Sequence, residues 1–210
     1  FGKSPAAPYR VDLALTYKCQ NRCPHCYVER DVRTPSLEDE QWLKVIDRLA
    51  AVGVPHVCFT GGDPSMYPGL DHLVRHAESL GILTGVITHG RGFKHPEFVD
   101  RLAVAAGLDH VQITLEAHDA AVHDAMQGVP GAWKETVQGV KNSLAAGFYV
   151  MTNSTLSTLN AHDVAQTVDF LYDQGIRRFA MNSLIYSGGG LCTGWGLTMD
   201  ELKSALVRVR

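Results

Sequence analysis

No stretch of the 210 residues is apolar for the length that a bilayer span requires, so no membrane partner is expected. Basic charge is not in excess either. Nineteen Lys and Arg stand against 22 Asp and Glu, giving a formal net charge of -3. Nothing in that balance calls for nucleic acid as a partner. The first ten residues, FGKSPAAPYR, hold no apolar h-region of a secretory signal, which weighs little because the sequence opens on Phe1 and not on Met. Cysteine is scarce: there are five, an odd number, and three of them crowd into residues 19–26. Such a set points to metal or redox chemistry in a reducing cytoplasm and away from a disulfide framework. The glycine-rich run SGGGLCTGWG lacks the G-x-G-x-x-G order of a dinucleotide loop after a first strand and reads as a flexible lid.

Hydrophobic residues, at 45%, with 20% charged, suit one globular domain with a substantial core. A β-like run, a polar or glycine turn and an amphipathic helix recur at intervals of about 30 residues, the size of a βα unit. The runs are VDLALTY (11–17), HVCFTGG (56–62), LTGVITHG (83–90), HVQITLEAH (110–118), YVMTNSTLS (149–157) and RRFAMNSLIY (177–186). Helices are expected near 37–52, 69–80, 96–106, 132–146 and 161–174, with another starting at Thr198. Ser36 with Asp39, Asn160 with Asp163, and Thr198 with Glu201 read as helix N-caps. Gly81, Gly107, Gly147 and Gly175 stand where a helix needs a left-handed terminating residue. Trp42 and Trp133 read as core. The strand runs are nearly continuous in apolar and β-branched residues, as expected of parallel strands covered on both faces. Six βα units in strict alternation mean an α/β fold with a parallel sheet, either a partial, open-sided barrel or a doubly wound sheet. ALVRVR runs to the last residue in a helical pattern without a cap, so residues 1–210 are expected to be a core domain that continues in the natural protein.

Ligands of parallel α/β folds gather at the carboxyl ends of the strands, and the unusual residues of this chain fall there. After the first run come Cys19, Cys23 and Cys26, spaced C-x3-C-x2-C; after the second come Gly61, Gly62, Asp63 and Pro64. Three thiolates are one short of a closed four-ligand site. On a [4Fe–4S] cubane they leave one iron open, and an open iron can accept the amino and carboxylate groups of an amino acid moiety.

C-x3-C-x2-C after the first strand, followed by a Gly-Gly-acidic-Pro stretch after the second, resembles the radical S-adenosylmethionine (SAM) superfamily. The likeness extends along the chain through the six βα units. Within the superfamily it is nearest the SPASM/twitch and molybdenum-cofactor-enzyme-like group. The resemblance implies a (βα)6 partial, three-quarter TIM-like barrel. It implies a [4Fe–4S] cluster and S-adenosyl-L-methionine as cofactors, and reductive cleavage of SAM to a 5′-deoxyadenosyl radical that abstracts a substrate hydrogen. Cys19, Cys23 and Cys26 would hold the cluster. His25 stands where the family often has an aromatic near the adenine. Gly61, Gly62 and Asp63 correspond to the GGE segment whose backbone receives the methionyl amino group, with Asp in place of Glu and glycines that let the ligand approach; Pro64 would fix that turn. Glu116 stands where a polar residue meets the ribose hydroxyls, Asn153 and Thr155 where the fifth strand nears the sugar or the methionine carboxylate, and Leu184 with Ile185 where the sixth approaches adenine. A flavodoxin- or ferredoxin-type electron donor and a peptide or small-molecule substrate follow from the same resemblance, with peptide or natural-product modification the favoured outcome and a cofactor- or haem-pathway reaction the alternative.

Competing readings come from the same residues. His25 could complete a zinc site with the three cysteines. Cys58 or Cys192 could be the fourth ligand of an electron-transfer cluster in a binding module without radical chemistry. Cys58, inside HVCFT, reads as a small buried hydrophobe, and Cys192 as a residue at the site's rim without a role. Glu116 has a second reading as a buried structural acid. His72, His76, His95, His110 and His123 read as surface or packing residues. His89 and His118 are expected to support the site from behind and not to act as bases.

Overall fold

The computed structural model of the chain describes residues 7–28 and 35–209; Glu29 and Arg30, at the end of the cysteine-bearing run, lie outside the described residues. Six strands form one sheet: β1 (Val11–Thr16), β2 (His56–Gly61), β3 (Leu83–Thr88), β4 (His110–Thr114), β5 (Tyr149–Leu156) and β6 (Phe179–Ser183). All neighbours pair in parallel, and their order follows the chain, β1-β2-β3-β4-β5-β6. A doubly wound sheet reverses its strand order at a switch point. This sheet has no reversal, so the chain is the expected (βα)6 partial barrel.

Helices α1 (Asp39–Ala51), α2 (Leu70–Ser79), α3 (Pro96–Asp100), α4 (Ala120–Gln127), α5 (Ala132–Ala145), α6 (Val164–Asp173) and α7 (Met199–Val207) follow the strands. Val57, Phe59, Val86, Val111 and Ile113 on the strands pack fully buried against Ile46, Leu73, Val74 and Leu102 of the helical layer. The main core therefore lies between sheet and helices. The barrel's inner face is polar towards the strands' carboxyl ends, where Thr60, Gln112, Thr114, Asn153 and Thr155 line a cavity. Continuous apolar runs were the expectation; the inner face departs from it because it borders a cavity instead of a second helical layer.

Gly81, Gly107, Gly147 and Gly175 all adopt positive φ, as their place at helix ends requires. Three local expectations are corrected. The capping box of α1 is Glu38 with Gln41, not Ser36 with Asp39. Asn160 caps no helix: its amide donates to the carbonyls of Glu116 (2.7 Å) and Thr155 (3.0 Å) and its Oδ1 accepts from Ser157 N–H (2.9 Å), tying the ends of β4 and β5 together. The segment 96–106 is α-helical only to Asp100 and continues as a wider π turn, Arg101–Ala106. Thr198 and Glu201 do form the expected capping box on α7.

Candidate functional site

The loop after β1 carries Cys19, Cys23 and Cys26, none of them in a disulfide, and is fixed from three sides. On the first side the turn after β2 reaches it: Gly62 N–H donates to Thr16 O (2.7 Å) and Asp63 N–H to Lys18 O (2.9 Å). A Cβ on Gly62 would lie 2.7 Å from Tyr17 O, so only glycine allows the two backbones to meet. On the second side stands α4, where Arg22 N–H donates to Gln127 O (3.0 Å) and the Gln127 side chain meets Asn21 and the Cys23 thiol. On the third, Gly189 N–H donates to Cys26 O (2.8 Å), and a Cβ on Gly188 would lie 2.7 Å from that same oxygen. The glycine-rich run after β6 is thus a backbone clasp on the cysteine loop and not the expected flexible lid. Arg91 adds a brace, donating to Gln20 O (3.1 Å) and Asn21 Oδ1 (2.7 Å) while pairing with Glu135 (2.5 Å). Lys94 also pairs with Glu135, and the two cations hold that carboxyl below the usual range against the raising effect of burial.

The cavity enclosed is about 670 Å³, within the size range of small-molecule and cofactor sites. Of the residues singled out from sequence, it is lined by Cys19, Cys23, Cys26 and His25 from the loop and by Gly61 and Gly62 from the second strand's end. Glu116, Asn153 and Thr155 line the opposite wall. Asp63, Pro64 and Leu184 stand behind it. The Asp63 carboxylate is wholly buried and accepts from Ser65 N–H (3.0 Å), Thr88 Oγ1 (2.6 Å) and His89 N–H (3.0 Å). Pro64 opens a buried 3-10 turn, and Leu184 is buried while its neighbour Ile185 faces the cavity. His89 lines the cavity with its ring held by Gln20 (2.8 Å) and Asp63 (3.2 Å), and burial lowers its pKa. His118 turns to Thr167 instead (3.3 Å).

Glu116 is 2% exposed, and its carboxylate accepts from Thr155 N–H (2.7 Å) and Gln127 (3.3 Å) and lies 3.3 Å from His25 Nε2. Burial pushes the Cys19 thiol up to about 11 and raises that of Cys23 further. Buried polar atoms without a protein partner include Asn153 Oδ1 and His25 Nδ1, both on residues lining the cavity. A buried polar atom left unmatched is costly, so these two atoms suit a polar ligand in the cavity.

Four ligands on one zinc ion hold their sulfurs and nitrogens within about 4 Å of each other. Among the described residues, the group of at least three His, Cys, Asp or Glu donor atoms lying within 4.8 Å of one another is His56, Cys58 and His110. The three loop thiols do not close to that distance, so the single-ion zinc reading has no geometry behind it. All three border the cavity instead. Cys58 stands apart from them on β2, and Cys192 is exposed and does not line the cavity. Gln127, Asn21 and Arg91 carry much of the loop's geometry and were not singled out from sequence; Gln127 lies on α4, in what read only as a longer connection.

The sequence model of the radical SAM superfamily matches residues 13–171. The PqqA peptide cyclase of Methylorubrum populi is 31% identical over 197 residues, 93% of this chain and 51% of that protein. The AdoMet-dependent heme synthase of Methanosarcina barkeri is 27% identical over 186 residues, 88% of this chain and 53% of that protein. The chain thus spans about half the length of the curated relatives it matches. The crystal structure of Streptococcus suis SuiB bound to the precursor peptide SuiA superposes with a TM-score of 0.84 at 19% identity, covering 97% of this chain and 46% of that one.

Proposed function

Because this chain belongs to the radical SAM superfamily, whose cofactors are a [4Fe–4S] cluster and SAM, we propose that it is the core domain of an enzyme that modifies a peptide by radical chemistry. Cys19, Cys23 and Cys26 hold the cluster in this reading, and the 670 Å³ cavity takes SAM. Cluster and SAM together supply one-electron cleavage of the sulfonium and hydrogen-atom abstraction from an unactivated C–H bond. The chain's part is to bind, orient and exclude water. Gly62 has given its N–H to Thr16, so it offers a ligand its carbonyl, which suits the methionyl amino group. Asn153 Oδ1 and His25 Nδ1 await donors or acceptors at the depth where ribose and adenine would lie. Asp63 serves by bracing the turn through Ser65, Thr88 and His89. The open side between β1 and β6 admits a substrate large enough to seal the site.

The observation that carries the proposal is the loop of three cysteines, their sulfurs outside the spacing of a single-ion site, facing a cavity bordered by unmatched polar atoms of His25 and Asn153. A peptide substrate is supported by the PqqA peptide cyclases among the relatives, and a ferredoxin- or flavodoxin-type donor by the need for single electrons. Five cysteines with no disulfide among them favour the reducing cytoplasm; among the described residues no helix is long and apolar enough to cross a membrane. The test is anaerobic cluster reconstitution of two variants. Cys23→Ala is expected to lose the broad visible absorption of the cluster, and Cys58→Ala to keep it. Equal loss in both would make Cys58 a ligand and end the open-iron reading.

A further inference from the structure

We propose that the barrel carries a second metal site at the end opposite the cysteine loop, formed by His56, Cys58 and His110 and taking a borderline-soft dication of the zinc class. Cys58 and His110 each lie two residues before a cavity-lining residue, Thr60 and Gln112, on the same strand, so their side chains face the barrel interior below that cavity. Cys58 Sγ is 3.5 Å from His110 Nε2 and 3.9 Å from His56 Nε2, and the donor atoms of all three residues lie within 4.8 Å of one another. Tetrahedral zinc with bonds of about 2.3 Å to sulfur and about 2.05 Å to nitrogen separates a sulfur from a nitrogen ligand by about 3.6 Å. The two sulfur–nitrogen separations bracket that value.

The backbone makes room for this convergence. Cys58 pairs with Gly85, and Gly85 with His110, across three adjacent parallel strands. Gly85 has no side chain to separate its neighbours. A Cβ there would stand 2.7 Å from Cys58 Sγ and would also overlap the His110 ring. The absence of a side chain on β3 is what brings a donor of β2 and a donor of β4 into one coordination sphere. The rings of His56 and His110 sit edge to face with centroids 4.9 Å apart, so a small rotation of the partly exposed His56 completes the third bond. Its exposure gives the ion a way in. Charge of both signs stands beside the site: Asp12, in register with Cys58, and Asp109, next to His110, favour a cation, and Arg10, paired with Asp12 at 2.6 Å, opposes it. Three protein ligands leave a fourth position to solvent, the pattern of an open zinc site. Binding breaks one S–H bond and forms one S–metal bond; the Cys58 proton goes to solvent, the imidazoles coordinate as neutral groups, and no electron is transferred. The ion would tie β2 to β4 across β3.

The test uses the untagged, cluster-loaded chain under anaerobic conditions with Zn2+ as the probe. After addition of Zn2+ and dialysis, metal analysis is expected to show one zinc per chain beyond the cluster iron. X-ray absorption at the zinc edge should give one sulfur and two nitrogens in the first shell. Cys58→Ser should abolish retention with iron content unchanged. His56→Asn, at the partly exposed ligand and so the variant least able to disturb folding, should weaken zinc binding by about tenfold or more. Melting temperature should rise with Zn2+ in the parent chain and not in Cys58→Ser. No retained zinc, a shell of three sulfurs from the cysteine loop, or retention unchanged in both variants would overturn the site.

Discussion

Glu116 and His123 show how closely single residues are tied to the cavity. Thr155 N–H, Gln127 and His25 share the Glu116 carboxylate, while Glu116 N–H donates to His123 Nδ1 at 3.1 Å. Glu116→Ala leaves the partly buried Thr155 N–H without its side-chain acceptor and is expected to cost about 1 kcal/mol, read from the urea midpoint. Burial lowers the pKa of His123 to about 4, against smaller raising effects of Glu116 and Asp124. In the unfolded chain it titrates near 6.5. Between those values the unfolded state binds more protons, so the His123 contribution is present above about pH 6.5 and is lost as pH falls towards 4. The parent is expected to lose stability with a slope steeper than that of His123→Gln, by up to about 1.4 kcal/mol per pH unit in that window. Parallel slopes in urea titrations would refute this assignment. At this scale residue type singled out Cys19, Cys23, Cys26 and Glu116, which the fold brings to one cavity. The sequence was silent on Gln127 and Asn21, because an amide whose role is to hold a loop looks like any surface amide until the loop is placed.

Among the elements, the cysteine loop depends on backbones that touch it. Gly61 and Gly62 stood out in the sequence as a place for a ligand to approach, yet their missing Cβ atoms also face Thr16, Tyr17 and Lys18 of the cysteine segment. Gly188 and Gly189 do the same from the other side. A glycine pattern announces that something comes close; it cannot say whether that is a ligand or another stretch of chain. Gly189→Ala, remote from the second strand, is expected to lower iron incorporation several-fold and the thermal midpoint by a few degrees, as overpacking of about 1–3 kcal/mol would. Iron per chain and a melting curve check both. Helix α4 escaped the sequence reading for a related reason. AAVHDAMQ is eight residues long and buries His123, Met126 and Gln127, a mixed stripe instead of an apolar one. The long periodic helices and the first five strands were legible because their apolar faces meet the core, and β6, which buries no residue, from its place in the βα alternation; helix ends shifted where caps use side chains other than the expected ones, as at Glu38.

Across the whole molecule, alternation of strand and helix was enough to predict a parallel sheet, and the sequential strand order decides for a partial barrel over a doubly wound sheet. The barrel sorts its chemistry by end: three thiols and the glycine turn at the carboxyl ends, the His56–Cys58–His110 cluster at the amino ends, and an apolar layer outside. That outer layer sets the fold's stability. Phe59 is fully buried, and Phe59→Ala is expected to cost about 3–5 kcal/mol in a denaturant titration. At the other end, Cys19, Cys23 and Cys26 are proposed to hold a cluster that would bind SAM. That central claim is tested most directly by reconstituting the protein anaerobically, reducing it with dithionite, adding SAM and quantifying 5′-deoxyadenosine. 5′-Deoxyadenosine and methionine are expected in proportion to cluster content, with none from Cys23→Ala; a fully loaded cluster that yields no 5′-deoxyadenosine would overturn the radical SAM assignment of this site.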